Sequence, residues 1–374
     1  MSIVIIGAGV GGLVLACTLN RHGVPAVVYE AEASPTTRGQ GGLLDIEERT
    51  GQAALREAVL YNSFHALIRP GEDAKRIVDS RGEVLLDLPG SMVGTRPEVD
   101  RGELRAMLID ALPAGMIRWG HKAARVVATP SGQPEVVFDN GSSLAAQLVV
   151  GADGAWSRVR RVVSGVEPVY TGTCFVTLGS ASGHQLSPSS KAVIGAGTLM
   201  AVASGRAIVA HHNADGTLSG YLALNEPQEW VASFDCADDA AVRDLVARRF
   251  HGWAPALTDL VVENLASPVL RPIYALPIHH RWKPVPGVTL LGDAAHLMSP
   301  FTGQGANLAM FDAAELAKQI LAEPIHIDRA LKAYESELFA RSAEIAAQSA
   351  DNQGRFFGDD APHSVVGMFR DRLG

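Results

Sequence analysis

Residues 2–30 confine the chain to a narrow set of folds. Ser2-Ile3-Val4-Ile5-Ile6 is a short β-branched run of the kind buried on both faces of a parallel sheet, and a glycine-rich turn follows it at once. Leu13 to His22 has helical composition, Gly23 closes that helix, and Pro25 to Glu30 reads as a second buried strand ending on an acid. The unit is βαβ. In its turn Gly7, Gly9 and Gly12 spell G-x-G-x-x-G, which permits a tight turn and lets a diphosphate approach backbone amides at the positive end of a helix. Glu30 stands where an acid accepts hydrogen bonds from a ribose hydroxyl, which favours NAD or FAD over NADP in this pocket. A glycine turn that merely packs helix on strand is the competing interpretation, and the strand-turn-helix context weighs against it.

Two further motifs follow short buried strands. Leu148-Val149-Val150 leads into Gly151-Ala152-Asp153-Gly154-Ala155-Trp156-Ser157-Arg158-Val159-Arg160, which combines permissive glycines with an acid and several arginines, and which could equally be a turn with a solvated charge cluster. Val288-Thr289-Leu290-Leu291 leads into Gly292-Asp293-Ala294-Ala295-His296-Leu297-Met298-Ser299-Pro300-Phe301-Thr302-Gly303-Gln304-Gly305-Ala306-Asn307, the most informative stretch of the chain. There Asp293 can bind a ribityl hydroxyl. Gly303 and Gly305 let backbone approach a flat ring at a helix N-terminus, whose dipole favours negative charge on a reduced flavin.

Between these motifs, Pro35 to Gly42 reads as a surface loop near the nucleotide, and Glu98 to Leu112, with Arg101 and Arg105 one turn apart, as an amphipathic helix. From about Gly172 to Leu276 short strands alternate with turns, as in an antiparallel sheet carrying one helix, Asp239 to Phe250. A long alanine-rich helix from about Asp328 to Arg355 closes the chain, and its small-residue face suits bridging the two domains of a monomer better than it suits a dimer face.

The three motifs, in this order, resemble the class A FAD-dependent monooxygenases, the aromatic hydroxylases related to p-hydroxybenzoate hydroxylase. The run Gly41-Gly42-Leu43-Leu44-Asp45, the segment Asp100-Arg101-Gly102-Glu103-Leu104-Arg105 and the sequence GDAAHLMSPFTGQG are most similar to the TetX-type tetracycline-inactivating enzymes. The resemblance covers essentially the whole chain. It implies an α/β fold, with a Rossmann-like FAD-binding domain of the glutathione reductase type over 1–171 and 277–327. Residues 172–276 would form an inserted antiparallel-sheet substrate domain, and 328–374 a C-terminal helix and tail.

The resemblance also implies a reaction in which NADPH, or NADH, reduces FAD, the reduced flavin captures dioxygen as a peroxide, and one oxygen passes to a small organic substrate of aromatic or polyketide-like type. Asp45, Arg101 and Asp293 fall where that group contacts FAD, and Arg38 where an arginine is associated with NADPH. Asp153, Pro300, Ala306 and Asn307 belong to the matching cofactor motifs, and Phe301 and Thr302 to the substrate pocket. Thr177, Thr198 and Ser219 replace the glutamine, arginine and histidine with which TetX-type enzymes hold tetracycline. A charge and two long polar side chains are thereby lost, so a different and less polar substrate is expected. Ala31 stands where the family has an arginine after the strand-end acid.

Composition narrows the remaining possibilities. A net charge of −8 argues against a surface that neutralises phosphates, so nucleic acid is not an expected partner. Cys17, Cys174 and Cys236 are far apart and lack CxxC spacing, which predicts neither disulfides nor a metal site and fits a reducing cytoplasm. Glycines interrupt the apolar N-terminus, no basic residues precede it, and no other apolar run approaches a membrane span. Among His184, His211, His212, His279 and His280, one could accept a proton from a phenolic substrate. His296 reads as a packing residue inside the flavin motif. The tryptophans never form the W-x-W-x-I-P pattern of flavin halogenases, whereas a flavin dehydrogenase or oxidase, or a non-catalytic flavin redox sensor, remains open at this point.

Overall fold

The computed structural model describes residues 2–37, 42–68, 74–90, 96–129, 133–180, 185–213 and 215–371. The chain forms two compact units. The first comprises Met1–Ile68, Thr95–Val169 and Tyr274–Ser349, and the second Arg69–Gly94, Tyr170–Ile273 and Ala350–Gly374.

The first unit is built on a parallel five-stranded sheet. Its strands are β1 (Ile3–Ile6), β2 (Ala26–Tyr29), β7 (Ile117–Arg118), β11 (Leu148–Gly151) and β17 (Val288–Leu290), in the order β17-β11-β1-β2-β7. Ile3 pairs with Leu148 on one side and Ala26 on the other, so β1 is central and buried on both faces, as its unbroken apolar run requires. Helix α1 (Val10–Arg21) buries every residue from Val10 to Leu19. A helix apolar all round needs cover all round. The sheet supplies one side; α2 (Arg101–Asp110) and α5 (Gly305–Ala322) supply others. Removing Leu13, Leu15 and Leu19 from water contributes about 1.5–3 kcal/mol each. The helix ends where Gly23 N–H donates to the Asn20 carbonyl and Val24 N–H to that of Leu19, satisfying its last carbonyls.

Two smaller sheets complete this unit. A short antiparallel pair joins β3 (Leu43–Asp45) to β6 (Glu98–Asp100), and a three-stranded meander contains β8 (Ala123–Val127), β9 (Glu135–Phe138) and β10 (Ser143–Ala145).

The second unit holds a seven-stranded sheet in the order β16-β12-β15-β14-β13-β4-β5. Here β12 is Val169–Gly179, β13 Thr198–Ala203, β14 Arg206–His212, β15 Leu218–Asn225 and β16 Leu270–Ala275. The strands β4 (Lys75–Val78) and β5 (Val84–Leu88) come from much earlier in the chain, and β4 lies parallel to β13. Strand alternation divides the sheet into two faces. Cys174, Val176, Leu199, Ala201, Ile208, Ala210, Leu222 and Leu224 face a core closed by Leu245, Val246 and Phe250, and by Leu257, Leu260 and Val261. These covering residues belong to or adjoin α3 (Asp239–Arg249) and α4 (Pro255–Glu263).

The single helix expected between residues 172 and 276 is therefore not alone. Besides α4 there are short helices at Pro188–Ile194 and Gln228–Ser233. In α4 and the Pro188 helix a proline sits in the first turn, where its missing N–H costs nothing, so a residue that reads as a helix breaker is in fact a helix starter. The long closing helix, α6, runs over Ile327–Phe357, and a shorter helix, His363–Arg370, follows it where only a tail was expected.

Candidate active site

The three motif glycines are not equivalent. Gly7 has φ +110°, and a Cβ there would stand 2.3 Å from the Ala152 carbonyl oxygen. A Cβ on Gly12 would stand 2.2 Å from the Gly7 carbonyl oxygen. Both glycines are demanded by the protein's own backbone. Gly9 differs: it has φ −76°, and nothing lies within 4 Å of a Cβ placed on it. No described protein atom requires glycine at this position, which leaves the backbone open to the close approach of a ligand.

Gly9 is also the N-cap of α1. No side chain caps this helix, and its first turn carries no acid. The N-cap of α5, Gln304, is uncapped as well, again with no acid in the first turn. The two helices pack together near these ends, since a Cβ on Gly11 would meet the Ala309 carbonyl oxygen at 2.8 Å. Two neighbouring helix N-termini thus keep free N–H groups and positive dipole ends, an arrangement that suits a diphosphate and a second negative centre.

The surrounding side chains lock this cradle. Glu30 Oε2 accepts from Ala8 N–H at 2.6 Å and Oε1 from Glu32 N–H at 2.9 Å, so the strand-end acid braces the glycine turn while its oxygens retain further lone pairs. Arg105, buried on α2, donates to the Ala8 carbonyl at 3.0 Å and the Pro35 carbonyl at 3.1 Å, and pairs with Glu32 at 3.0 Å. The carboxylate of Asp153 accepts from Ser157 Oγ, Arg158 N–H and Val159 N–H, and burial pushes its pKa up. Arg160, 1% exposed, ties this second motif to the third, donating to the carbonyls of Ala155 and Ala294 at 2.6 and 3.1 Å.

The third motif gathers the other predicted residues. Asn307 is fully buried. Its amide donates to the carbonyls of Asp45 at 2.7 Å and Gly303 at 3.2 Å, and its Oδ1 accepts from Glu47 N–H at 2.8 Å. Asn307 therefore joins β3 to α5. A Cβ on Gly303 would stand 3.3 Å from Asp45 Oδ2 and 3.4 Å from Arg96 Nη2, and one on Gly305 would stand 3.9 Å from Asp293 Oδ1. Arg96, which the sequence reading missed, holds Nη2 3.2 Å from Asp45 Oδ2 without hydrogen-bond geometry, and its Nε has no hydrogen-bond partner among the described residues. Pro300, Phe301 and Thr302 form a 3-10 turn leading to Gly303, with Thr302 buried, and Ala306 lies in the first turn of α5. Arg101 begins α2 with an exposed side chain.

His296 does more than pack. Its Nε2 lies 2.6 Å from Asp312 Oδ2, which also accepts from Gly292 N–H, while Asp312 Oδ1 takes Arg341 at 2.7 Å. Burial pulls the His296 pKa down, but the Asp312 carboxylate outweighs it and holds the ring above its ordinary value. The sequence signal was hidden because the partner lies on a different helix.

In the second unit, the face of the sheet opposite the helices carries the other predicted residues. Lys75, Thr198, His211 and Ser219 stand in one cross-strand row, and Ile77, Met200, Val209, Tyr221 and Thr177 in the next. Thr177 Oγ1 accepts from Val269 N–H at 2.8 Å, and Phe175 stacks on Tyr221 with ring centroids 4.1 Å apart. Thr198 Oγ1 lies 2.9 Å from His211 Nδ1. Of the other histidines, His280 uses both ring nitrogens, towards the Ala295 carbonyl and Ser164 Oγ, and His279 is exposed. Arg38 and His184 lie outside the described residues.

Residues 1–193 and 281–349 match a family model described as an FAD binding domain. A monooxygenase of Penicillium thymicola, penA, is 31% identical over 85% of this chain and 84% of its own. The chain belongs to this family of FAD-dependent monooxygenases. Among solved structures, HpxO of Klebsiella pneumoniae complexed with FAD and uric acid has TM-score 0.81 and 22% identity, over 99% of this chain and 92% of that one. The tetracycline destructase Tet(55) has TM-score 0.77 and 21% identity, over 100% of this chain and 94% of that one. Both likenesses establish the fold. In this monooxygenase the uncapped ends of α1 and α5 and the open Gly9 position fit FAD: the first end suits the diphosphate, and the second suits charge that develops on the ring system when it is reduced. Among the described residues no helix is long and apolar enough to cross a membrane.

Proposed function

We propose that the monooxygenase consumes NADPH and inserts one oxygen atom into a small, ring-bearing substrate of aromatic or polyketide type, by hydroxylation. Bound FAD supplies the redox chemistry, taking electrons from the nicotinamide cofactor and delivering one atom of dioxygen to substrate while the other leaves as water. The protein binds, orients and excludes water. In this reading Gly7, Gly9 and Gly12 with Glu30 hold the adenosine and diphosphate end. Asp45, Asp293, Pro300, Gly303, Gly305, Ala306 and Asn307 hold the ribityl and ring end, with Arg101 and Asp153 supporting the cofactor and Arg38 receiving NADPH.

The observation that carries the reading is the pair of uncapped, neighbouring helix N-termini. On the substrate side the sheet face with Thr177, Thr198 and Ser219 offers hydroxyls and aromatic surface rather than an arginine, which supports a substrate less polar than tetracycline.

The test is NADPH oxidation by the purified protein, coupled to a mass-spectrometric screen of ring compounds that includes uric acid and tetracycline. Under isotopically labelled dioxygen, a compound that gains one labelled oxygen identifies the substrate class. Substrate that loses hydrogen without gaining oxygen would replace the hydroxylase reading with a dehydrogenase. Peroxide accumulating beside unchanged compounds would sink the proposed substrate class, and oxidation of NADH alone would overturn the NADPH preference.

A further inference from the structure

Resting on the reading of the Thr177 face as the substrate side, we propose that His211 is the residue that recognises the substrate, as a fixed Nε2–H donor to a carbonyl or carboxylate oxygen on its ring, with Thr198 and Lys75 positioning it.

The donor assignment follows from a count of protons. Thr198 Oγ1 has two hydrogen-bond partners, Lys75 Nζ at 3.3 Å and His211 Nδ1 at 2.9 Å. An ammonium group can only donate, so one lone pair of Oγ1 is taken by Lys75. If Nδ1–H also donated to Oγ1, the threonine hydroxyl proton would be buried without an acceptor and Nε2 would be left bare, giving two unsatisfied groups. If the hydroxyl donates to Nδ1 instead, its proton and one lone pair are both engaged and only the Nε2–H is left as an unmatched donor. The second arrangement is the better one, and it places the ring proton on Nε2.

Among the described residues that atom has no partner: His211 Nε2 makes no hydrogen bond although the residue is only 6% exposed. Ser219, its cross-strand neighbour, turns its hydroxyl towards Asn213 Oδ1 at 3.0 Å and makes no hydrogen bond with Nε2. Buried N–H groups without an acceptor are rare in folded proteins and point to a partner beyond the described residues, here assigned to the substrate. Lys75 on β4, beyond β13, and His212, next along β14, are the basic neighbours, and Tyr221, two residues from Ser219 on the same face, stays neutral because burial pushes it up to about 12. Burial first, then Lys75 and His212, push His211 down to about 4. The ring is thus uncharged at neutral pH, and with its proton on Nε2 it offers a donor to the substrate and no base for a phenolic proton.

The experiment is NMR of the full-length holoenzyme with nitrogen-labelled histidine, the His211 signal being assigned by its loss in His211→Gln. The expected result is a bare Nδ1, a protonated Nε2, no charging between pH 8 and pH 5, and a shift of the Nε2–H signal on adding uric acid or tetracycline. Thr198→Val mixes the two tautomers. In flavin difference spectra His211→Leu weakens binding of the responding probe by about 10- to 100-fold, the effect of leaving its acceptor unmatched, and His211→Gln, whose amide N–H falls where Nε2 stood, recovers most of it. A proton on Nδ1, a ring that charges near pH 6.5, equal binding by the leucine variant, or an Nε2–H signal unmoved by a probe that shifts the flavin spectrum would each overturn the proposal. Visible absorbance of the same samples scores the flavin separately: a yellow protein with the proton on Nδ1 refutes His211 as donor alone, whereas a colourless one with the expected tautomer refutes the cofactor reading alone.

Discussion

Substituting alanine into the nucleotide turn separates glycines kept for the fold from one kept for the cofactor. Gly9→Ala places its methyl where no atom of the described residues lies within 4 Å, on a backbone with φ −76° and ψ 171° that any residue adopts. Stiffening the unfolded chain stabilises by about 0.4–1 kcal/mol, and the poorer N-cap costs a similar amount, so the net change is within about 0.5 kcal/mol. The apoprotein should then melt within about 2 °C of wild type. In Gly12→Ala the new Cβ meets the Gly7 carbonyl oxygen at 2.2 Å, a backbone atom that moves only if α1 lifts off the sheet, and overpacking of this kind costs about 1–3 kcal/mol. The order reverses for FAD. The Gly9 methyl occupies the approach of a diphosphate to the amides, and overlap of about 1–3 kcal/mol weakens binding by roughly 5- to 150-fold. Thermal unfolding of the apoproteins and titration of FAD fluorescence quenching read the two quantities independently. If Gly9→Ala binds FAD as wild type does, the diphosphate does not lie against Gly9; if its apoprotein unfolds as readily as Gly12→Ala, the glycines have been sorted wrongly.

Asp312→Asn removes the carboxylate shared by His296, Arg341 and Gly292 N–H, leaving buried cationic groups unmatched, and should cost about 3–5 kcal/mol in denaturant unfolding. The same pair sets opposite pH limits. The raised His296 pKa gives stability that is complete below pH 6.5 and lost as pH rises through the folded value. The Asp312 pKa is raised by burial but lowered more strongly by His296 and Arg341, giving stability lost as pH falls below about 4. Urea midpoints across pH should show both limbs in wild type and neither in the variant. His211 behaves differently: its folded pKa of about 4 lies below the ordinary 6.5, so the unfolded chain alone takes up a proton between those values. Stability should therefore drop by about 2–3 kcal/mol on acidification from pH 6.5 to pH 4, and a His211→Gln protein whose midpoints fall just as steeply would rule this out. Asn307→Ala leaves Glu47 N–H and two carbonyls unmatched in the core, and should destabilise by about 2–3 kcal/mol while weakening FAD retention on gel filtration; full retention would show that the join between β3 and α5 does not shape the site.

What could be read from the sequence, and what could not, follows the range of the interactions involved. β1, α1 and β2 are visible because their signals are local: an apolar run, a turn, a helix and a second run within thirty residues. The glycine motif is equally local, yet its division of labour depends on Ala152, more than a hundred residues away, and could not be seen. Arg96 carried no motif, and the Asp312 partner of His296 sits on another helix. The substrate-side face shows the limit most sharply. Strand alternation says that His211 and His212 point to opposite faces, but not which of them faces the helices. That is settled when Ala210 pairs with Leu199 inside the apolar face, which turns His211 the other way, into line with Thr198. Lys75 reaches that row only because β4 pairs with β13, 123 residues along the chain from Lys75 to Thr198, and no local pattern records such a pairing. The chemistry of His211 was therefore present in the sequence as residue types, while its tautomer and its unmatched Nε2 arise only when the distant β4 comes into register with the β13–β14 hairpin.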